Sequence, residues 1–314
     1  MSLKSYSMLR KMVVEFYISS RKIQGPLNLK LTMESEQFTN SNWRRLQDNY
    51  RTLMKTEEGL IGLEVRQEGS VEKPKLCVKI YCTKRFDDVN FVKARLVREF
   101  GLDHNLESVY RELGEDPIAK KIVNQYRGLR LVRYIDPEEC LITYHLSTNT
   151  TIQRLEQMLE SLKKRFGETF KFDDGFVLKT FPKIQNLFDV NLKTLENCKL
   201  GYKSKFLLEL VNFLRQNPID WEKLKNLSID EARKMLMKLP GVGLKVADAV
   251  LLYGLGRTET FPIDIWVRRA LVRLYGLNSN LSYQQLQKFV KEKFGEYSGY
   301  LAPYLFCFGR SKPF

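Results

Sequence analysis

Apolar and polar residues alternate in the first quarter of the chain. In "PLNLKLTM", Leu27, Leu29, Leu31 and Met33 fall on one face, and in "KLCVKIYC" Leu76, Val78, Ile80 and Cys82 do the same. "YRTLMKTEEGLIGLEV" reads as two strands around a turn at Thr56 to Gly59. A period of two bounded by turn residues is the strand signature, and it predicts an antiparallel sheet with one wet face. From about residue 88 the period lengthens to that of a helix. "VNFVKARLVREF" and "IAKKIVNQYR" are amphipathic, and "TIQRLEQMLESLKKRFG" aligns Ile152, Leu155, Leu159, Leu162 and Phe166, with Gly167 as a stop. "KSKFLLELVNFLRQNP" predicts a further helix ended at Asn217-Pro218. The expected fold is α+β: an antiparallel sheet domain over 1–87 followed by a mainly helical domain over 88–314. No repeat or low-complexity segment interrupts it.

The densest local signals lie between residues 228 and 266. Ser228 with Glu231 forms a capping box for the helix "IDEARKMLMKL", whose apolar face is Ile229, Ala232, Met235, Leu236 and Leu239. Pro240 and Gly241 break that helix and Gly243 opens the next, so about 229–254 reads as a helix–hairpin–helix. Gly241 and Gly243 allow a sharp turn and close approach of backbone to a partner. The free N–H groups at the second helix suit a phosphate; the bland alternative is a tight connection without a ligand. Lys245 falls in the first turn of that second helix, where the dipole disfavours a cation. Two readings stay open: a neutral amine poised as a nucleophile, or a lysine that binds phosphate. Helical spacing puts Ala249 and Tyr253 beside it. Asp264, after Pro262, is placed to cap the helix "IWVRRALVRLYG".

Composition narrows the partners. The 314 residues hold 52 Lys and Arg against 37 Asp and Glu, a formal charge of +15, which points to a polyanion. No apolar run is long enough to span a bilayer, and "MSLKSYSMLRKMVVEFYISS" has no signal-peptide core. An intracellular protein is expected: cytoplasm or nucleoid of a prokaryote, nucleus if eukaryotic. Cys77, Cys82, Cys140, Cys198 and Cys307 form no CxxC, and His104 and His145 are the two histidines. No metal site, iron–sulfur loop or disulfide framework is suggested. No cofactor is called for.

These residues resemble the helix–hairpin–helix DNA glycosylases, in particular the eukaryotic-type 8-oxoguanine DNA glycosylase/lyases with their prokaryotic relatives. The resemblance rests on "LPGVGLKVAD" and "PID", with support from "DPEECLITYHLSTNTTIQRL", "LGYKSKF" and "GEYSGYLAPYLF". It implies flipping of a damaged base out of duplex DNA, attack of Lys245 on C1′, and β-elimination through a Schiff base. It implies that Asp264 stabilises the sugar cation. Asn149 and Arg154 match residues that hold the base left opposite, Tyr202 matches an aromatic wedge, and Lys203, Gly241 and Gly243 fall on the DNA side. Helix capping is the structural alternative for Asn149, and turn packing for Tyr202. The base pocket would draw on Ala249, Tyr253, Trp266, Ala302 and Phe306. Four positions depart from the family pattern: Glu36 for a glycine, Ala302 for a glutamine, Ala249 for a cysteine and Trp266 for a histidine. The resemblance also implies a monomer acting on double-stranded DNA. Two other readings remain: a monofunctional alkylpurine glycosylase, and a non-catalytic DNA-binding module that uses the hairpin for phosphates alone.

Overall fold

Strands of alternating polarity build the amino-terminal unit of the computed structural model, which describes residues 12–37 and 43–311. β1 (Met12–Ile18) is followed by helix α1 (Leu29–Glu34), then β2 (Arg44–Leu46), β3 (Asn49–Thr56), β4 (Gly59–Gly69) and β5 (Pro74–Cys82). The sheet runs β1-β5-β4-β3-β2, antiparallel throughout, with Thr52 opposite Leu63 and Leu63 opposite Ile80. One face carries Leu63, Val65, Leu76, Val78 and Ile80, which pack with Val92, Leu96 and Phe100 of the next helix and with Val132. The other face is covered by a short hairpin of β6 (Thr169–Lys171) and β7 (Val177–Lys179). A Cβ on Gly62 would meet the rings of Phe170 and Phe172 at 2.6 and 2.7 Å, so only glycine lets the hairpin lie so close.

The chain continues in helices: α2 (Val89–Glu99), whose Val92 and Leu96 belong to the sheet's core, and then the helical unit of α3 (Leu106–Leu113), α4 (Pro117–Gln125), α5 (Pro137–Leu146), α6 (Ile152–Phe166), α7 (Leu192–Asn197), α8 (Lys203–Gln216) and α9 (Trp221–Asn226). α10 (Ile229–Leu236), α11 (Leu244–Ala249), α12 (Ile265–Tyr275), α13 (Tyr283–Phe294) and α14 (Ser298–Ser311) complete it. Its core is one continuous cluster reaching from Leu106 to Phe308. α5 is buried on almost every side, and Cys140, Leu141, Ile142 and Leu146 tie the bundle around it. Among the described residues no helix is long and apolar enough to cross a membrane.

One local expectation needs correction. Leu27 to Met33 is not a strand. Asn28 caps α1 by accepting from the Leu31 N–H at 3.0 Å, and the short run carries its buried residues, Leu29 and Thr32, on a helical spacing. Gly167 ends α6 as expected, in extended conformation (φ −82°).

Candidate active site

The capping box forms as its spacing predicts, with Ser228 and Glu231 exchanging bonds at the start of α10. The chain then turns at Gly241 (φ +75°) and re-enters a helix at Gly243. The two glycines do different work. A Cβ on Gly241 would sit 2.4 Å from Nε2 of His145, whereas one on Gly243 would meet nothing within 4 Å. His145 is buried in α5 with Nε2 3.1 Å from the Pro240 carbonyl oxygen, which it reaches as an N–H donor, so it pins the hairpin to the bundle. Burial pushes this imidazole down to about 4, keeping it neutral. Behind the hairpin, the fully buried Asp248 accepts from Arg233 at 2.8 Å, Tyr283 at 2.6 Å and Gln287 at 3.0 Å. α10, α11 and α13 therefore share one anion.

Lys245 points the other way, into a cavity of about 500 Å³. Its walls include Glu36 and Gln37 from the sheet unit, Ser147 to Ile152 from the α5–α6 loop, and Tyr144, Tyr253, Asp264, Trp266, Ala302 and Phe306. The Lys245 ammonium donates to Ser147 Oγ at 2.8 Å and lies 5.1 Å above the Tyr144 ring. Tyr144 stacks on Tyr253 with centroids 5.5 Å apart and planes 5° apart. Burial pulls Lys245 below the usual lysine range; Asp264 opposes that pull and Lys203 adds to it. The carboxylate of Asp264 caps α12 through the Val267 N–H at 2.8 Å, as its position predicts. Burial raises its proton affinity, while that bond and Lys245 lower it. A buried carboxylate and a buried amine with weakened hold on its proton thus line one cavity, and an amine that gives up its proton easily can act as a nucleophile.

The other expected residues fall into three groups. Tyr253, Trp266, Ala302, Phe306 and Asn149 line the cavity with Lys245 and Asp264. Asn149 sits in left-handed conformation (φ +48°) and does not cap α6; Thr151 does, accepting from the Arg154 N–H at 3.2 Å. Ala249 is fully buried behind the cavity wall, its carbonyl 4.0 Å from the Cys140 thiol. α11 widens into a π turn at Val250–Gly254, so Tyr144 rather than Tyr253 meets the amine. Arg154 and Tyr202 lie outside the cavity on the open side. Arg154 donates to the Lys199 carbonyl at 2.6 Å, and Tyr202 is 63% exposed with Phe206 edge-on at 6.1 Å. Lys203, expected on the DNA side, is only 5% exposed and donates to Thr148.

Of the departures, Glu36 lines the cavity in left-handed conformation (φ +62°), a backbone region that suits a glycine, and pairs with Arg310, whose guanidinium lies 5.5 Å over Phe306. Trp266 has Arg269 over its ring at 5.1 Å. Sequence reasoning does not single out Tyr144, Ser147, His145 or Asp248. Tyr144 and Ser147 stand about a hundred residues before Lys245, and only the tertiary fold brings them to it. Among the described residues no group of three or more His, Cys, Asp or Glu is placed to hold a metal ion.

A family described as "HhH-GPD superfamily base excision DNA repair protein" matches residues 142–296, and one described as "8-oxoguanine DNA glycosylase, N-terminal domain" matches residues 20–141. A probable N-glycosylase/DNA lyase of Methanothermobacter thermautotrophicus is 28% identical over 91% of this chain and 94% of its own. An N-glycosylase/DNA lyase of Arabidopsis thaliana is 32% identical over 61% of this chain and 55% of its own. The Clostridium acetobutylicum 8-oxoguanine glycosylase/lyase, solved with duplex DNA containing cytosine opposite 8-oxoG, superposes with a TM-score of 0.79 at 27% identity, over 97% of this chain and 99% of that one. A 3-methyladenine DNA glycosylase from Archaeoglobus fulgidus, 22% identical with a TM-score of 0.78 over 94% of this chain and 98% of its own, shares the fold.

Proposed function

The chain belongs to the HhH-GPD superfamily of base excision DNA repair proteins and carries an 8-oxoguanine DNA glycosylase N-terminal domain, and on that premise we propose that it removes an oxidised purine, 8-oxoguanine first, from duplex DNA and nicks the resulting abasic site. The observation that carries the reading is the Lys245 amine, held by Ser147 over Tyr144 in a cavity of about 500 Å³, roomy enough for a base with its sugar, that also contains Asp264. Neutral Lys245 attacks C1′. The bond from C1′ to the base breaks, its electron pair leaves with the base, and the base takes up a proton. The ammonium formed on the sugar loses a proton and the ring opens to a Schiff base. Loss of a C2′ proton then expels the 3′ phosphate, which is the nick. Asp264 opposes the positive charge that builds on the sugar as the base departs. Asn149 and Arg154 hold the base left opposite, exposed Tyr202 fills the vacated stack, and the Gly241–Gly243 hairpin meets a phosphate with its backbone.

Borohydride trapping tests this on a duplex with 8-oxoguanine opposite cytosine, beside a second duplex with an abasic site. Wild type is expected to trap covalently on both, and Lys245→Gln on neither while still binding. Trapping by Lys245→Gln would remove the lysine from the mechanism. Trapping of the abasic duplex alone would leave the lysine and replace the lesion. Ala302 and Trp266 on the pocket wall favour an alkylated purine as the next substrate to offer.

A further inference from the structure

Lys203 stands beside the wedge tyrosine, at a position where a phosphate contact is the simple expectation for a basic residue. Its side chain goes inward instead. It is 5% exposed, and its ammonium donates to both the carbonyl oxygen and the hydroxyl of Thr148, the latter at 3.2 Å. The same ammonium lies 5.4 Å from the Tyr202 ring centre. Ser147, one residue earlier, receives Lys245 at 2.8 Å, and Asn149, one residue later, holds a left-handed conformation in the cavity wall. Two buried ammoniums are therefore anchored on consecutive residues of one loop.

We propose that Lys203 is a positioning residue: its buried ammonium fixes the Ser147–Asn149 loop that also anchors Lys245, ties that loop to the Tyr202 ring, and places a second positive charge behind the nucleophile without touching a DNA phosphate. This rests on Lys245 acting as the nucleophile. The groups facing Lys245 are Cys140 and Tyr144 from α5, Lys203 from α8, Tyr253 from the π turn and Asp264 from the start of α12. Of the charged pair, Asp264 holds the proton on and Lys203 drives it off. Both charges act in a buried site that salt screens weakly.

The test uses the full chain on an abasic duplex, which makes it independent of lesion identity. The saturating trapping rate is followed against pH, and the dissociation constant against salt. For Lys203→Met the acid limb is expected to move to higher pH, so that trapping is slower than wild type below it and converges with wild type above it. Lys203→Arg should restore the wild-type limb, and neither variant should change the salt slope. An unmoved limb in Lys203→Met, or a slope shallower by about one, the mark of a lost phosphate contact, would overturn the proposal. If Lys203→Met does not fold, Thr148→Val decides, because it leaves Lys203 and removes one of its acceptors. A several-fold slower saturating rate at unchanged affinity is expected, and an unchanged rate overturns the proposal. Wild type that fails to trap the abasic duplex would overturn the nucleophile reading, and this proposal with it.

Discussion

Asp264 has two jobs that a single substitution separates. Its carboxylate caps α12 through the Val267 N–H and holds charge toward Lys245. Asparagine caps about as well as aspartate, so Asp264→Asn should melt within about 1 kcal/mol of wild type. Without the anion, base release should slow by about a hundredfold or more in single-turnover excision. The abasic-site reaction should respond differently. Asp264 raises the proton affinity of Lys245, so its neutralisation lets the ammonium deprotonate more easily and the acid limb of trapping should move to lower pH. An excision rate equal to wild type would confine Asp264 to capping. At this scale the sequence is informative about the two charged groups of the cavity, because "LPGVGLK" and "PID" mark Lys245 and Asp264 locally. It is silent about Tyr144 and Ser147, whose contacts with the amine depend on how α5 is buried beneath α11.

The helix–hairpin–helix shows what an element can and cannot reveal in advance. Its capping box, glycine turn and second helix follow from spacing, and all three are present. The difference between its glycines does not follow from spacing, since it depends on His145 arriving from α5. Gly241→Ala places a Cβ against that imidazole at a positive φ and should cost on the order of 1–3 kcal/mol, read as a lowered Tm. Gly243→Ala has φ −100° and open space, so it should melt near wild type and instead weaken DNA binding by roughly tenfold, by standing between backbone N–H groups and a phosphate. Equal DNA affinity in Gly243→Ala would argue that the hairpin is only a connection. The misread segment at Leu27 to Met33 fails for a related reason. α1 is six residues long, too short for a period of two and one of 3.6 to separate, and the Asn28 cap decides. The three-residue strands β6 and β7 carry too little pattern to be seen at all.

Across the whole molecule, the cavity depends on a joint between the sheet and the helices. The sheet side contributes Glu36 and Gln37 to a wall otherwise built by helices and their loops. Gln37 does not face the cavity freely: it donates to the Arg130 carbonyl at 2.9 Å and accepts from the Val132 N–H at 3.2 Å. Arg130 is 1% exposed, and its guanidinium donates to the carbonyl oxygens of Pro26, Gly101, His104 and Gln24 at 2.8 to 2.9 Å. Burial pushes it down to about 10, still charged at neutral pH. Only a planar fork reaches four acceptors at once. Arg130→Met should strip that donor from all four carbonyls, leaving Gln24 and Gly101 with the Leu106 and His104 N–H groups, and cost about 3–5 kcal/mol, on the order of a 10 °C fall in Tm. Arg130→Lys should recover little of it, because one ammonium cannot span the four oxygens. Lys245, Ser147 and Asp264 belong to the helical unit, whereas Glu36 hangs from the Arg130 joint. At temperatures where the variant is folded, trapping on an abasic duplex should therefore stay close to wild type while excision of the intact lesion falls. An equal loss of both would mean that the sheet supports the nucleophile as directly as it supports the pocket wall.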